Sequence, residues 1–104
     1  LADRNLRLDE ARALIEKAYK LSPDDFYILD SMGWVRYRQG DLPGALDYLE
    51  KARAKNNDPE VVAHLGEVMW AMGRQDEART LWQDMQKQHP DNETLNSIIK
   101  KFLP

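Results

Sequence analysis

The sequence predicts an all-α fold of stacked helix pairs, and three observations in its 104 residues carry that expectation. Apolar residues recur at helical spacing along most of the chain, and no stretch alternates as a half-buried strand would. Slid by 33 residues, the chain matches itself: Gly33 falls on Gly66, Gly40 on Gly73, Ala45 on Ala78, Leu49 on Trp82 and Ala52 on Met85. A slide of 34 adds Ala11 on Ala45, Ile15 on Leu49 and Ala18 on Ala52, so an earlier half-repeat precedes the two full ones. Self-similarity at this period belongs to arrays in which each unit buries its apolar flank against the next.

Punctuation sets helices near 9–20, 25–39, 42–55, 59–72, 75–88 and 92–102. Pro23 after Ser22, Pro59 after Asp58 and Pro90 before Asp91 mark helix starts, because proline costs little in a first turn and a Ser or Asp side chain takes up free amides. Gly40 and Gly73 stand where helices end, a place that wants left-handed backbone. Helix 42–55 has an apolar stripe of Leu42, Ala45, Leu46, Leu49 and Ala52; helix 59–72 has Val62, Leu65, Gly66, Met69 and Met72. Helix 75–88 has Ala78, Leu81, Trp82 and Met85, with Trp82 expected in the core. Small residues oppose large ones, so Gly33 is expected to receive Ala45, and Gly66 to receive Ala78. The last helix has Leu95, Ile98, Ile99 and Phe102 on one side and Asn96, Lys100 and Lys101 on the other, the pattern of a cap that keeps a terminal apolar face dry. The expected organisation is one domain: a partial repeat over 1–24, repeats over 25–58 and 59–92, and a capping helix over 93–104. Opening at Leu1 rather than at a methionine, the chain reads as a fragment of something longer.

Composition narrows the function. With 15 basic and 18 acidic residues, interspersed, the chain has a formal charge of −3 and lacks the concentrated basic face that nucleic acid requires, so no nucleic-acid partner is expected. There is no cysteine, hence no disulfide or thiolate chemistry. No apolar run approaches the roughly 20 residues that span a bilayer, so direct membrane insertion is not expected.

These positions resemble the tetratricopeptide repeat, whose signature runs through a large residue, Leu-Gly, Gly, Ala, a large apolar residue, Ala and Pro. Leu65-Gly66, Gly73, Ala78, Trp82 and Pro90 keep that spacing throughout, and Met32-Gly33, Gly40, Ala45, Leu49 and Ala52 repeat it. Three departures stand out. Arg36 occupies a place usually aromatic, with its guanidinium expected to snorkel outward. Asn56-Asn57-Asp58-Pro59 replaces the closing proline, and Met85 replaces a small residue. The resemblance implies an α-α superhelix with a C-terminal capping helix, serving as a protein-binding scaffold rather than an enzyme. The phrases Leu1-Ala2-Asp3-Arg4, Leu29 to Arg38 and Ala63 to Trp70 are similar to the carboxy-terminal repeats of long bacterial members, several of them outer-membrane lipoproteins. That likeness implies a periplasmic adaptor for a carboxy-terminal processing protease, with the protease or its substrates as partners. It favours the periplasmic face of the outer membrane, through a lipid anchor outside this chain, while the residues leave the cytoplasm open.

In the resembled family the first helix of each pair lines a concave face. Transferred to this chain, that face holds Tyr27, Asp30, Ser31, Trp34, Tyr37 and Arg38, then Glu60, His64, Glu67, Trp70 and Ala71. Exposed Trp, Tyr and Arg suit an interface; the alternative is that Trp34 and Trp70 fill gaps between neighbouring first helices. Members that clamp the carboxylate of chaperone tails resemble one another in Lys and Asn on these faces. Here Asp30, Trp34, Ala63 and Glu67 stand at the matching places, so no chaperone tail is expected. A structural end-cap or self-association is the second expectation, because helix 9–20 lacks a full partner.

Glu60, His64 and Glu67 share a helix face, a spacing that metal ligands use, yet without further histidine or cysteine they read as a solvated charged face. No metal, cofactor or catalytic residue is expected. His64 lacks an accompanying nucleophile, and His89 before Pro90 reads as a helix-end residue.

Overall fold

The computed structural model describes residues 2–103, with side chains from residue 8 onward; the side chains of Leu1-Ala2-Asp3-Arg4 lie outside the described residues. Six helices follow in order: α1 Ala2–Leu21, α2 Phe26–Arg38, α3 Leu42–Lys55, α4 Pro59–Ala71, α5 Gln75–Gln88 and α6 Glu93–Phe102. Among the described residues there is no strand. The first helix begins at Ala2, well before the expected residue 9, and the other boundaries fall within one residue of expectation.

Helix starts are set by acids and amides more than by prolines. The Asp25, Asp41, Asp58 and Asn92 side chains accept the amides of Tyr27, Gly44, Glu60 and Leu95 at 2.8–3.0 Å, satisfying first-turn donors that have no partner within their helix. Pro59 opens α4 as expected. Ser22 and Pro23 do not open α2: the Ser22 amide still donates to the Ala18 carbonyl, finishing α1, and Asp25 caps α2 instead. Pro90 likewise precedes the cap, with its carbonyl accepting from Asn96 Nδ2 at 2.8 Å. Gly40 and Gly73 both take φ +84°, a left-handed turn that a Cβ would strain. His89 ends α5, its amide donating to the Met85 carbonyl. Arg74, at the start of α5, makes no side-chain cap bond; its guanidinium grips Glu77 at 2.7 and 3.1 Å and lowers the pKa of that carboxyl.

The chain divides into two compact units, residues 1–56 and 57–104. In the first, α2 packs on α1 and α3. Leu29, Met32, Val35, Ala45, Leu49 and Ala52 are buried there. A Cβ built on Gly33 would lie 2.6 Å from Leu49 Cγ and 3.2 Å from the Ala45 carbonyl oxygen. The expected Gly33–Ala45 approach is thus real for the backbone, but the side chain seated on the glycine is Leu49, one turn further along α3. Arg36 does not snorkel outward. Its Nη2 lies 3.7 Å from Glu16 Oε1 on α1, and that oxygen also accepts from Arg12 Nε at 2.8 Å. The Arg12 hydrogen bond holds the Glu16 carboxyl below its ordinary range and raises Arg12 in return. Tyr19 of α1 meets Tyr48 of α3 edge to face at 5.8 Å, and Lys51 pairs with Asp47 at 3.1 Å.

In the second unit α4 packs on α5 and α6, and α5 touches α6. Trp82 is fully buried, as expected, and its indole N–H donates to the Ala63 carbonyl at 3.2 Å. A Cβ on Gly66 would fall onto that indole, so the partner of Gly66 is Trp82 rather than the expected Ala78. The reason is the same at both glycines: Ala45 and Ala78 carry only a methyl, which lets the helices close, and the large residue four positions on folds over the glycine.

The last helix repeats the register of α4 at a distance of 33 residues, with Leu95 on Val62, Ile98 on Leu65 and Phe102 on Met69. Leu95 and Val62 are both fully buried. Ile99, however, stands where α4 has Gly66, so α6 offers no glycine seat to a helix like α5. Asn96, expected to face water, accepts from Gln86 Nε2 of α5 at 3.1 Å, because one further hydrogen bond is available where the two helices meet.

Candidate partner-binding face

Leu29, Met32, Gly33 and Val35 turn one side of α2 into the core of the first unit. The 3.6-residue period then brings Tyr27, Asp30, Ser31, Trp34, Tyr37 and Arg38 onto the remaining surface of the helix. Tyr27 is 63% exposed and stacks on Phe26 at 4.6 Å between ring centroids. Trp34 and Tyr37 are half-buried and lie ring against ring at 5.2 Å. Asp30 and Ser31 are half-buried between these aromatic pairs in sequence, and Arg38 is exposed at the C-terminal end of the helix. One helix side thus offers four aromatic rings with a carboxylate, a hydroxyl and a guanidinium, a composition typical of interface anchors. Phe26 was not among the residues expected here; its place beside Asp25 reads as a helix start, and only the stacking shows that it supports Tyr27.

The residues transferred to α4 are in a different situation. Glu60 is exposed and accepts from Thr94 Oγ1 of α6 at 3.4 Å. His64 is half-buried and Ala71 exposed. Glu67 is only 4% exposed: Lys101 Nζ of α6 lies 3.6 Å from its Oε1, and its Oε2 is buried without a hydrogen-bond partner. Trp70 sits in an aromatic cluster, 5.8 Å from Trp82 and 5.5 Å from Phe102, and Phe102 is itself 5.5 Å from Trp82. The expected open surface at Glu67 and Trp70 is therefore corrected: α6 lies over both, and Trp70 fills a gap between helices. Lys101 and Phe102 were missed as their partners, and Thr94 as the partner of Glu60. The signal that could have found them is the register match of α6 with α4, which makes α6 the next helix to pack on α4.

A buried carboxylate with one oxygen unmatched is costly, and removing its counter-charge costs more than removing the carboxylate. Lys101→Met is accordingly expected to be less stable than Glu67→Met by about 1 kcal/mol or more in urea titrations. Equal losses would show that leaving the Glu67 carboxylate unpaired costs nothing beyond its removal.

Among the described residues no group of three His, Cys, Asp or Glu side chains is placed to hold a metal ion. Arg12, Glu16, Lys51 and Glu77 have displaced pKa values, each shifted first by a hydrogen bond to its ion-pair partner. No helix among the described residues is long and apolar enough to cross a membrane.

The family model of the tetratricopeptide repeat matches residues 36–101. TPR repeat-containing protein PA4667 of Pseudomonas aeruginosa is 61% identical over 67 residues, 64% of this chain and 11% of that protein. TPR repeat-containing protein MJ1428 of Methanocaldococcus jannaschii is 30% identical over 94 residues, 90% of this chain and 16% of that protein. Among solved structures, the thermophilic TPR protein TTC0263 of Thermus thermophilus superposes with a TM-score of 0.81 at 26% identity, covering 93% of this chain and 50% of that one. The chain thus spans a small part of the curated relatives it matches and half of the solved one.

Proposed function

The chain belongs to the tetratricopeptide repeat family, and from that premise we propose that it is an adaptor module whose α2 surface takes a peptide or protein partner. The fold serves in general as a protein-interaction scaffold. The observation that supports this placement is the exposed Tyr27 in line with Trp34, Tyr37 and Arg38 on one helix side. Rings held rigid by their neighbours lose little entropy on contact, and Asp30 and Arg38 supply opposite charges for register. Glu67 and Trp70 are left out of the proposed surface because α6 engages them.

Trp34→Ala is expected to weaken partner binding by about 2 kcal/mol or more while leaving the melting temperature nearly unchanged. A large melting shift would move Trp34 into the core and remove the anchor. The partner can be identified by crosslinking the full-length protein in cells with a photoreactive residue at position 34. Capture of a processing protease or its substrates would give the adaptor the finer periplasmic role implied by resemblance; capture of other proteins would keep the scaffold without that role. Capture of its own chain alone would replace the adaptor with a self-association module.

A further inference from the structure

A slide of 33 residues sets Tyr27 of α2 on Glu60, Trp34 on Glu67 and Tyr37 on Trp70, so α4 has a helix side equivalent to the one proposed above for a partner. On α4 that side is taken by α6, through Thr94 on Glu60 at 3.4 Å, Lys101 on Glu67 at 3.6 Å and Phe102 on Trp70 at 5.5 Å. Two features make α6 an imperfect cover. Its single buried side chain is Leu95, whereas α4 is buried from Val61 to Met69 with a break only at His64. A helix held by so little buried surface opens more readily than the core it rests on. The Glu67 carboxylate is 4% exposed, yet Lys101 reaches one oxygen only, and Oε2 is buried with no hydrogen-bond partner. An ammonium is a point charge on a flexible stem, while a guanidinium presents parallel N–H donors that fit both oxygens of a carboxylate.

We infer that α6 is a displaceable plug over a second partner site on α4, and that it yields to a protein segment in which an arginine is followed by an aromatic residue. The arginine engages both oxygens of Glu67, which Lys101 does not, and the ring takes the place of Phe102 on Trp70. Charge complementarity favours a cationic occupant, because α4 carries Glu60 and Glu67 and neither lysine nor arginine. The site is separate from the α2 surface, so the failure of one leaves the other standing.

The test titrates two fluorescein-labelled peptides of residues 92–103, one of native order and one with Lys101→Arg, against the 104-residue chain and follows their anisotropy. The arginine peptide should bind about ten-fold more tightly, and Glu67→Gln in the chain should remove that preference. Lys101→Arg in the chain should hold the plug shut, slowing exchange of the α6 amides and weakening the arginine peptide by about ten-fold. Trp34→Ala should leave these values unchanged; a loss of binding with it would put the peptides on α2 and overturn the inference. Equal affinity of the two peptides, binding of neither, or α6 amides that exchange no faster than those of α4 would overturn it as well. So would a dimer formed by exchange of α6 between copies, which would give the site to a second copy.

Discussion

Replacing Trp82 with alanine is expected to cost about 3–5 kcal/mol of unfolding free energy. The side chain is fully buried, stacks on Trp70 and Phe102, covers Gly66 and donates to the Ala63 carbonyl. It therefore joins α4, α5 and α6 at one point, and no smaller group could keep all of those contacts. Removing the indole leaves a void between three helices that cannot collapse without moving α6. Urea titration followed by far-ultraviolet circular dichroism measures the loss. A change below about 1 kcal/mol would mean that the second unit does not depend on this packing, and the assignment of its core would have to be abandoned.

Gly66→Val is the second large effect, a loss of about 1–3 kcal/mol from overpacking. A Cβ at Gly66 points into the indole of Trp82, which has no free direction in which to move because it is fully buried. The same substitution in a Trp82→Leu background should cost clearly less, since the smaller side chain leaves room, and the difference between the two measures the coupling. Additive losses would show that valine acts on helix propensity rather than on this contact. Gly33 makes the milder case, because the atoms it would meet belong to Leu49 and to the Ala45 carbonyl.

How much of this was legible in the residues depends on the range of the interaction. The glycine turns at 40 and 73 could be read because a left-handed helix end is a local requirement of backbone and Cβ, and both take φ +84°. The cap at Asp58 was legible for the same reason. The residues that mark the starts of α2 and α6 were misread, though the starts fall within one residue of expectation, because proline permits a first turn without demanding one, whereas Asp25 and Asn92 satisfy amides that would otherwise be orphaned. Arg36 looked like an exposed departure from the repeat; its counter-ion, Glu16, is 20 residues away on another helix, and nothing in the local pattern couples them.

The candidate face divides along the same line. Tyr27, Trp34, Tyr37 and Arg38 share a side of α2 by helical period alone, so their grouping follows from the amino acids. Glu67 and Trp70 share the corresponding side of α4 by the same arithmetic, yet Glu67 is buried and Trp70 half-buried against α6, because α6 returns from beyond Pro90 to set Lys101 against the carboxylate and Phe102 against the indole.

By itself the amino-acid order determined that this chain is helical, that it repeats, where its helices turn, and that its helices approach closely at the glycines. Those properties come from backbone sterics and from apolar spacing within a turn or two. Tertiary structure alone decided which large side chain sits on each glycine and which of the two aromatic helix sides is covered. Those outcomes depend on how residues far apart in the chain share a limited volume, and neither period nor propensity encodes that.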